Sequence, residues 1–136
     1  MNVKIIILFL IGLVTFGCNS IEREMTEVEQ YLANKYDAER LSIDFTTLQS
    51  QTNGEMMEDR KFINIEIINP IDIEKIMSDI EYSNNLGVAI TSFVLDSVQF
   101  DTIPFQPKEI QVDFINESGF LIFNSENRKT INLELN

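Results

Sequence analysis

Phe62-Ile63-Asn64-Ile65-Glu66-Ile67-Ile68 reads as a half-buried strand. Ile63, Ile65 and Ile67 fall on one side, and Asn64 and Glu66 fall on the other. The same two-residue period occurs upstream, where Leu41, Ile43, Phe45 and Thr47 alternate with Ser42, Asp44 and Thr46. The polar segment between them holds Asn53-Gly54, a strong turn signal. The two strands are therefore expected to pair as a hairpin with a long tip. Downstream, Asn69-Pro70 ends the strand and is expected to open a helix, with asparagine capping and proline at the first position.

Ile73, Ile76, Met77 and Ile80 then recur at helical spacing. Asn84-Asn85-Leu86-Gly87 predicts a break. Leu86, Ile90, Phe93, Val94 and Val98 form a second helical stripe, with a strand from Val88 to Leu95 as the competing reading. Before the first strand, Met25, Val28, Leu32 and Tyr36 predict a helix over about Ile21 to Arg40. The tail reads as three strands. Ile110, Val112 and Phe114 mark the first, Phe120 to Phe123 the second, and Ile131, Leu133 and Leu135 the third, with turns at Asn116–Gly119 and Ser125–Arg128. Segregated strands joined by short turns predict the α+β class. The expected body is an antiparallel sheet of about five strands with two or three helices on one face.

The front of the chain has a different character. Lys4 precedes an apolar run of 13 residues, Ile5 to Gly17, which ends at Cys18, the single cysteine. At about 1.5 Å per residue the run reaches roughly 20 Å, short of the ~30 Å hydrocarbon core. Its length suits the hydrophobic region of an export signal. Thr15-Phe16-Gly17-Cys18 resembles the lipobox of bacterial lipoproteins. The resemblance covers the leader alone. It implies cleavage after Gly17 and attachment of fatty acyl chains at Cys18, in the manner of a palmitate-bearing anchor. The expected organisation is a signal peptide over 1–17, a lipidated tether over 18–24 and one domain over 25–136. The resemblance further implies an exported protein anchored to the cell envelope. Asn19 is not the aspartate associated with inner-membrane retention, so the outer membrane is favoured where the cell has one. Two or more acyl chains hold a protein stably, since each buried methylene contributes about 0.8 kcal/mol.

The chain carries 22 acidic and 10 basic residues and no histidine, a formal charge of −12. Loss of the leader, whose one charge is Lys4, leaves 119 residues and takes the balance one unit lower. Such a charge argues against nucleic-acid binding. Catalysis finds few parts. Histidine is absent, no Gly-x-Ser-x-Gly occurs, and no glycine cluster precedes a lysine. No cofactor and no metal are expected, and the chain is read as a non-enzyme.

The strand pattern sends Asp44, Glu66, Asp113 and Glu134 to the face away from the helices. Like charges opposite one another on neighbouring strands cost roughly 0.2–1 kcal/mol per pair. A cation or a basic partner would relieve that cost. The expected function is a binding or scaffold module with an envelope protein as partner. A cation or small-ligand binder using the acidic face is the alternative, and a small hydrolase comes third.

Overall fold

The computed structural model describes residues 23–49, 51–52, 55–56, 60–99, 105–120 and 123–135. In chain order, helix α1 spans Glu27–Lys35 and is followed by β1 (Arg40–Leu48), β2 (Gln51–Thr52), β3 (Glu55–Met56) and β4 (Arg60–Ile68). Helices α2 (Ile73–Ser78) and α3 (Ile80–Ser97) lead to β5 (Glu109–Phe120) and β6 (Phe123–Glu134). The chain is α+β; the described residues form three helices and a four-stranded sheet in the order β1-β4-β5-β6. A separate two-stranded ribbon, β2-β3, extends the β1-β4 hairpin. None of the described helices is long and apolar enough to cross a membrane.

Helix α1 is shorter than its stripe suggests because both ends are stopped locally. Thr26 forms a capping box with Glu29: the Glu29 N–H donates to the Thr26 hydroxyl, and the Thr26 N–H donates to the Glu29 carboxylate. Asp37 takes the left-handed conformation, φ 46°, and the Ala38 N–H closes back on the Ala33 carbonyl at 2.9 Å.

The sheet corrects the expected antiparallel arrangement of about five strands. β1-β4 and β5-β6 are antiparallel, but the central β4-β5 pair is parallel. Strands joined by a tight turn must run oppositely, whereas a crossover through helices can return the chain in the same direction. Here α2 and α3 supply that crossover. The strand count changes because Asn116-Glu117-Ser118-Gly119 is not a turn. It pairs in register with Asn124–Asn127, so two twelve-residue strands replace three short ones. Turn-forming residues are tolerated there because most of that end of the hairpin is exposed and buries little.

The helical break also moves. It falls at Asp79, whose carboxylate accepts from the Tyr82 N–H at 2.9 Å and caps α3. The helix then runs straight through Asn84–Gly87. Gly87 sits there for space: a Cβ would lie 3.1 Å from Ile131 Cγ2 on β6. The strand reading of Val88 to Leu95 is likewise replaced by helix. Asn69 does not cap α2. It adopts φ 50°, which asparagine tolerates, and ties three elements together. Its amide donates to Glu39 at 2.8 Å, its side-chain oxygen accepts from the Glu117 N–H at 2.8 Å, and its own N–H donates to the Ile115 carbonyl.

One apolar layer lies between the sheet and the helices. Ile63, Ile65 and Ile67 of β4 and Ile110, Val112 and Phe114 of β5 are fully buried, together with Leu32, Ile76, Ile90 and Val94 of the helices. Tyr31 of α1 stacks on Phe93 of α3 at 5.0 Å between ring centroids, joining the helices above the sheet.

Candidate functional site

Strand register places the four acidic residues singled out above on the side of the sheet opposite the core. Asp44 pairs with Asn64, Glu66 lies between Ser42 and Asp113, and Glu134 stands across from Glu109. They do not form one cluster. Only Glu66 and Asp113 are direct neighbours, and these two share Arg128, while Asp44 lies near Arg23.

Arg128 is the centre of this face. Its guanidinium donates to Asp113 at 2.9 Å, to Glu66 at 3.0 Å and to Glu126 at 3.2 Å. Burial on its own lowers the Arg128 pKa, but hydrogen bonds to Glu66 and Glu126 and the charge of Asp113 outweigh it and raise the value above the ordinary one. Asp113 is completely buried although it lies on the open face. Besides Arg128 it accepts from the Thr130 hydroxyl at 2.5 Å and the Gln111 amide at 2.9 Å. A buried carboxylate needs such saturation, because leaving it unpaired would cost several kcal/mol. Asp44 lies 3.7 Å from Arg23, and Glu109 is bonded to Arg60.

Much of the like-charge cost is therefore relieved inside the chain by arginines that the strand pattern alone did not place there. Reading Ser125–Arg128 as a turn removed Arg128 from the face. The signal was its even-numbered parity with Thr130 and Asn132, which becomes visible once β6 is taken as one long strand. Arg128→Gln is expected to lower the unfolding free energy by about 1–3 kcal/mol, measured by urea denaturation, because Asp113 stays buried with a charge and loses its countercharge.

The face is not uniformly polar. Ile68 and Ile115 pair across β4 and β5 and are buried, as is Phe62, over which the Arg60 guanidinium sits at 4.6 Å. Asn64 Oδ1 is buried without a hydrogen-bond partner. At the end of the sheet, a cleft of about 470 Å³ is lined by Glu39, Asn69, Glu117, Ser125 and Glu126. A neighbouring cleft of about 420 Å³ is lined by Arg23, Met25, Arg40, Ile68 and Glu117. Among the described residues, no group of three or more histidine, cysteine, aspartate or glutamate side chains is placed to hold a metal ion.

Glu29 is a second buried carboxylate, on α1, and the strand pattern gave no reason to single it out. It accepts from both Arg23 nitrogens, at 2.6 and 3.1 Å, and from the Ile43 N–H of β1 at 2.7 Å. Burial pushes its pKa up, yet the hydrogen bonds from Arg23, Thr26 and Ile43 outweigh that and hold it below the usual glutamate value. Arg23, read from sequence as part of the tether, is thus bonded to the body. Gly17 and Cys18, the expected cleavage and acylation residues, lie outside the described residues. No family model, curated protein or solved structure matches this chain.

Proposed function

We propose that the chain is a small exported lipoprotein, held to the cell envelope by acyl chains on Cys18, whose acidic α+β body works as a binding or scaffold module. The observation that carries the reading is the leader. It is a 13-residue apolar run after Lys4, too short to span a bilayer, and it closes on the chain's single cysteine. The outer membrane is the proposed location where the cell has one. The proposed partner is an envelope protein, and the proposed surface is the sheet face away from the helices, which carries Asp44, Glu66 and Glu134, with the buried Asp113 bonded to Arg128.

The body suits this role. Among the described residues the helices pack on one face of the sheet, and the other carries charged and amide side chains on all four strands, with Phe62, Ile68, Asp113 and Ile115 buried among them. The test is fractionation of intact cells expressing the native chain or Cys18→Ser, with intact-mass analysis of each product. The native protein is expected in the membrane fraction with a mass increase of acyl-chain size. Cys18→Ser is expected to lose the added mass and to leave the membrane fraction. A native product that retains Met1 and an unmodified sulfur would overturn the proposal.

A further inference from the structure

We infer that the outer edge of β6 is a docking edge for an extended, basic segment of a partner protein, which joins the sheet as an added strand. The inference rests on the binding role proposed above and supplies the surface and the chemistry of the partner.

The two edges of the sheet are treated differently. β1 is one edge, and α1 engages it at one point: the Ile43 N–H, which points away from β4, is taken by the buried Glu29 carboxylate. β6 is the other edge. The Leu135 N–H donates to the Lys108 carbonyl, which sets the phase of the ladder. In an antiparallel pair the hydrogen-bonded residues alternate, so odd-numbered residues of β6 bond to β5 and even-numbered ones turn their N–H and C=O outward. Among the described residues, no backbone group bonds to that outward row from Glu126 to Glu134.

Proteins usually blunt such an edge with a bulge, a short strand, a cover or a lysine. β6 pairs with β5 over twelve consecutive residues without a bulge. Its one lysine, Lys129, is turned to the helix side and donates to the Ile76 carbonyl at the end of α2, at 2.8 Å. It does not guard the edge.

Charge selects the occupant. The even-numbered residues also carry their side chains on the face away from the helices, where the exposed Glu126 and Glu134 stand along the edge; Glu66 and the fully buried Asp113 lie behind them and share Arg128 with Glu126. Arg128 is the one cation among these five. A second copy of a chain with charge −12 would bring the same acids to the same place. A basic strand gains backbone hydrogen bonds along the edge, and its alternate side chains stand beside Glu126 and Glu134.

The experiment uses the full chain in a non-ionic detergent and a fluorescein-labelled peptide of alternating lysine and threonine, with binding read by anisotropy. A glutamate-for-lysine peptide is the charge control. A lysine peptide N-methylated at alternate residues keeps the charge and loses backbone donors. The lysine peptide is expected to bind, and both controls are expected to bind at least about tenfold more weakly. Asn132→Pro removes an outward N–H without touching the β5 ladder, and it should weaken binding about as much while the melting temperature holds. Glu81→Gln, at the start of α3, should change nothing. Three results would each overturn the inference: no binding, equal binding of the N-methylated peptide, or a dimer of the chain formed through β6. These outcomes are independent of the fractionation test, so failure of the anchor and failure of the edge can be told apart.

Discussion

Phe114→Ala is expected to destabilise the fold by about 3–5 kcal/mol, which is the range for removing an aromatic ring from a core that cannot collapse around the cavity. Phe114 sits in the middle of β5, fully buried, with Ile67 beside it on β4 and Lys129 beside it on β6. Both flanking strands hold its backbone in place, so the void cannot close by moving the strand. A domain of this size is stable by about 5–15 kcal/mol, so the change removes a large part of the whole. Urea unfolding should show a lower midpoint with an unchanged slope. Phe114→Leu, which keeps much of the volume, should cost less than half as much. Equal losses for the two variants would mean that the ring is not packed as described.

The second large effect is at Glu29. Glu29→Gln is expected to cost about 2–4 kcal/mol, although the substitution barely changes shape. The carboxylate receives four donors: two from Arg23, one from Thr26 and one from Ile43. An amide has one oxygen and one NH2, so either the Thr26 or the Ile43 N–H must face another donor. Arg23 is about half exposed, 53%, and solvent screens its charge, so most of the expected loss lies in the orphaned backbone groups.

The pH dependence follows with a definite sign. Glu29 has a folded pKa below the ordinary glutamate value of about 4.5, so near and below that value the unfolded chain binds the proton more readily. Its contribution is fully present above about pH 4.5 and is lost as pH falls through the depressed folded value. The native protein should therefore lose stability between pH 5 and pH 3 more steeply than Glu29→Gln, whose residue at that position does not titrate. Parallel acid limbs would show that the carboxylate is not held ionised by these partners.

Glu29 and Arg128 also mark the limit of what could be read without coordinates. Each is an ordinary charged residue in a chain rich in them. What distinguishes them is the partner reached across the fold: Ile43 is fourteen residues from Glu29, and Glu66 is sixty-two residues from Arg128. Periodicity reports which face a residue shares with its near neighbours and carries no information about which strand lies alongside. The residues of the candidate surface were legible as a face, because alternation is local. Their division into separately compensated groups was not, because it depends on strand order.

From the amino-acid order alone came the α+β class, the apolar faces of β1, β4 and β5, the stripes of the helices, the sign of the charge and the apolar run that ends at Cys18. All of these are properties of contiguous residues, set by a period of two or 3.6 and by composition. Tertiary structure alone decided the parallel pairing of β4 with β5, the fusion of three tail segments into two long strands, the helix that runs through Gly87 and the arginine partners of the acids. Each of these is settled by long-range packing. A crossover has to cover the sheet, a helix has to fit against Ile131, and a buried carboxylate has to find its donors. Local preferences for turns and breaks are weaker than these contacts and give way to them.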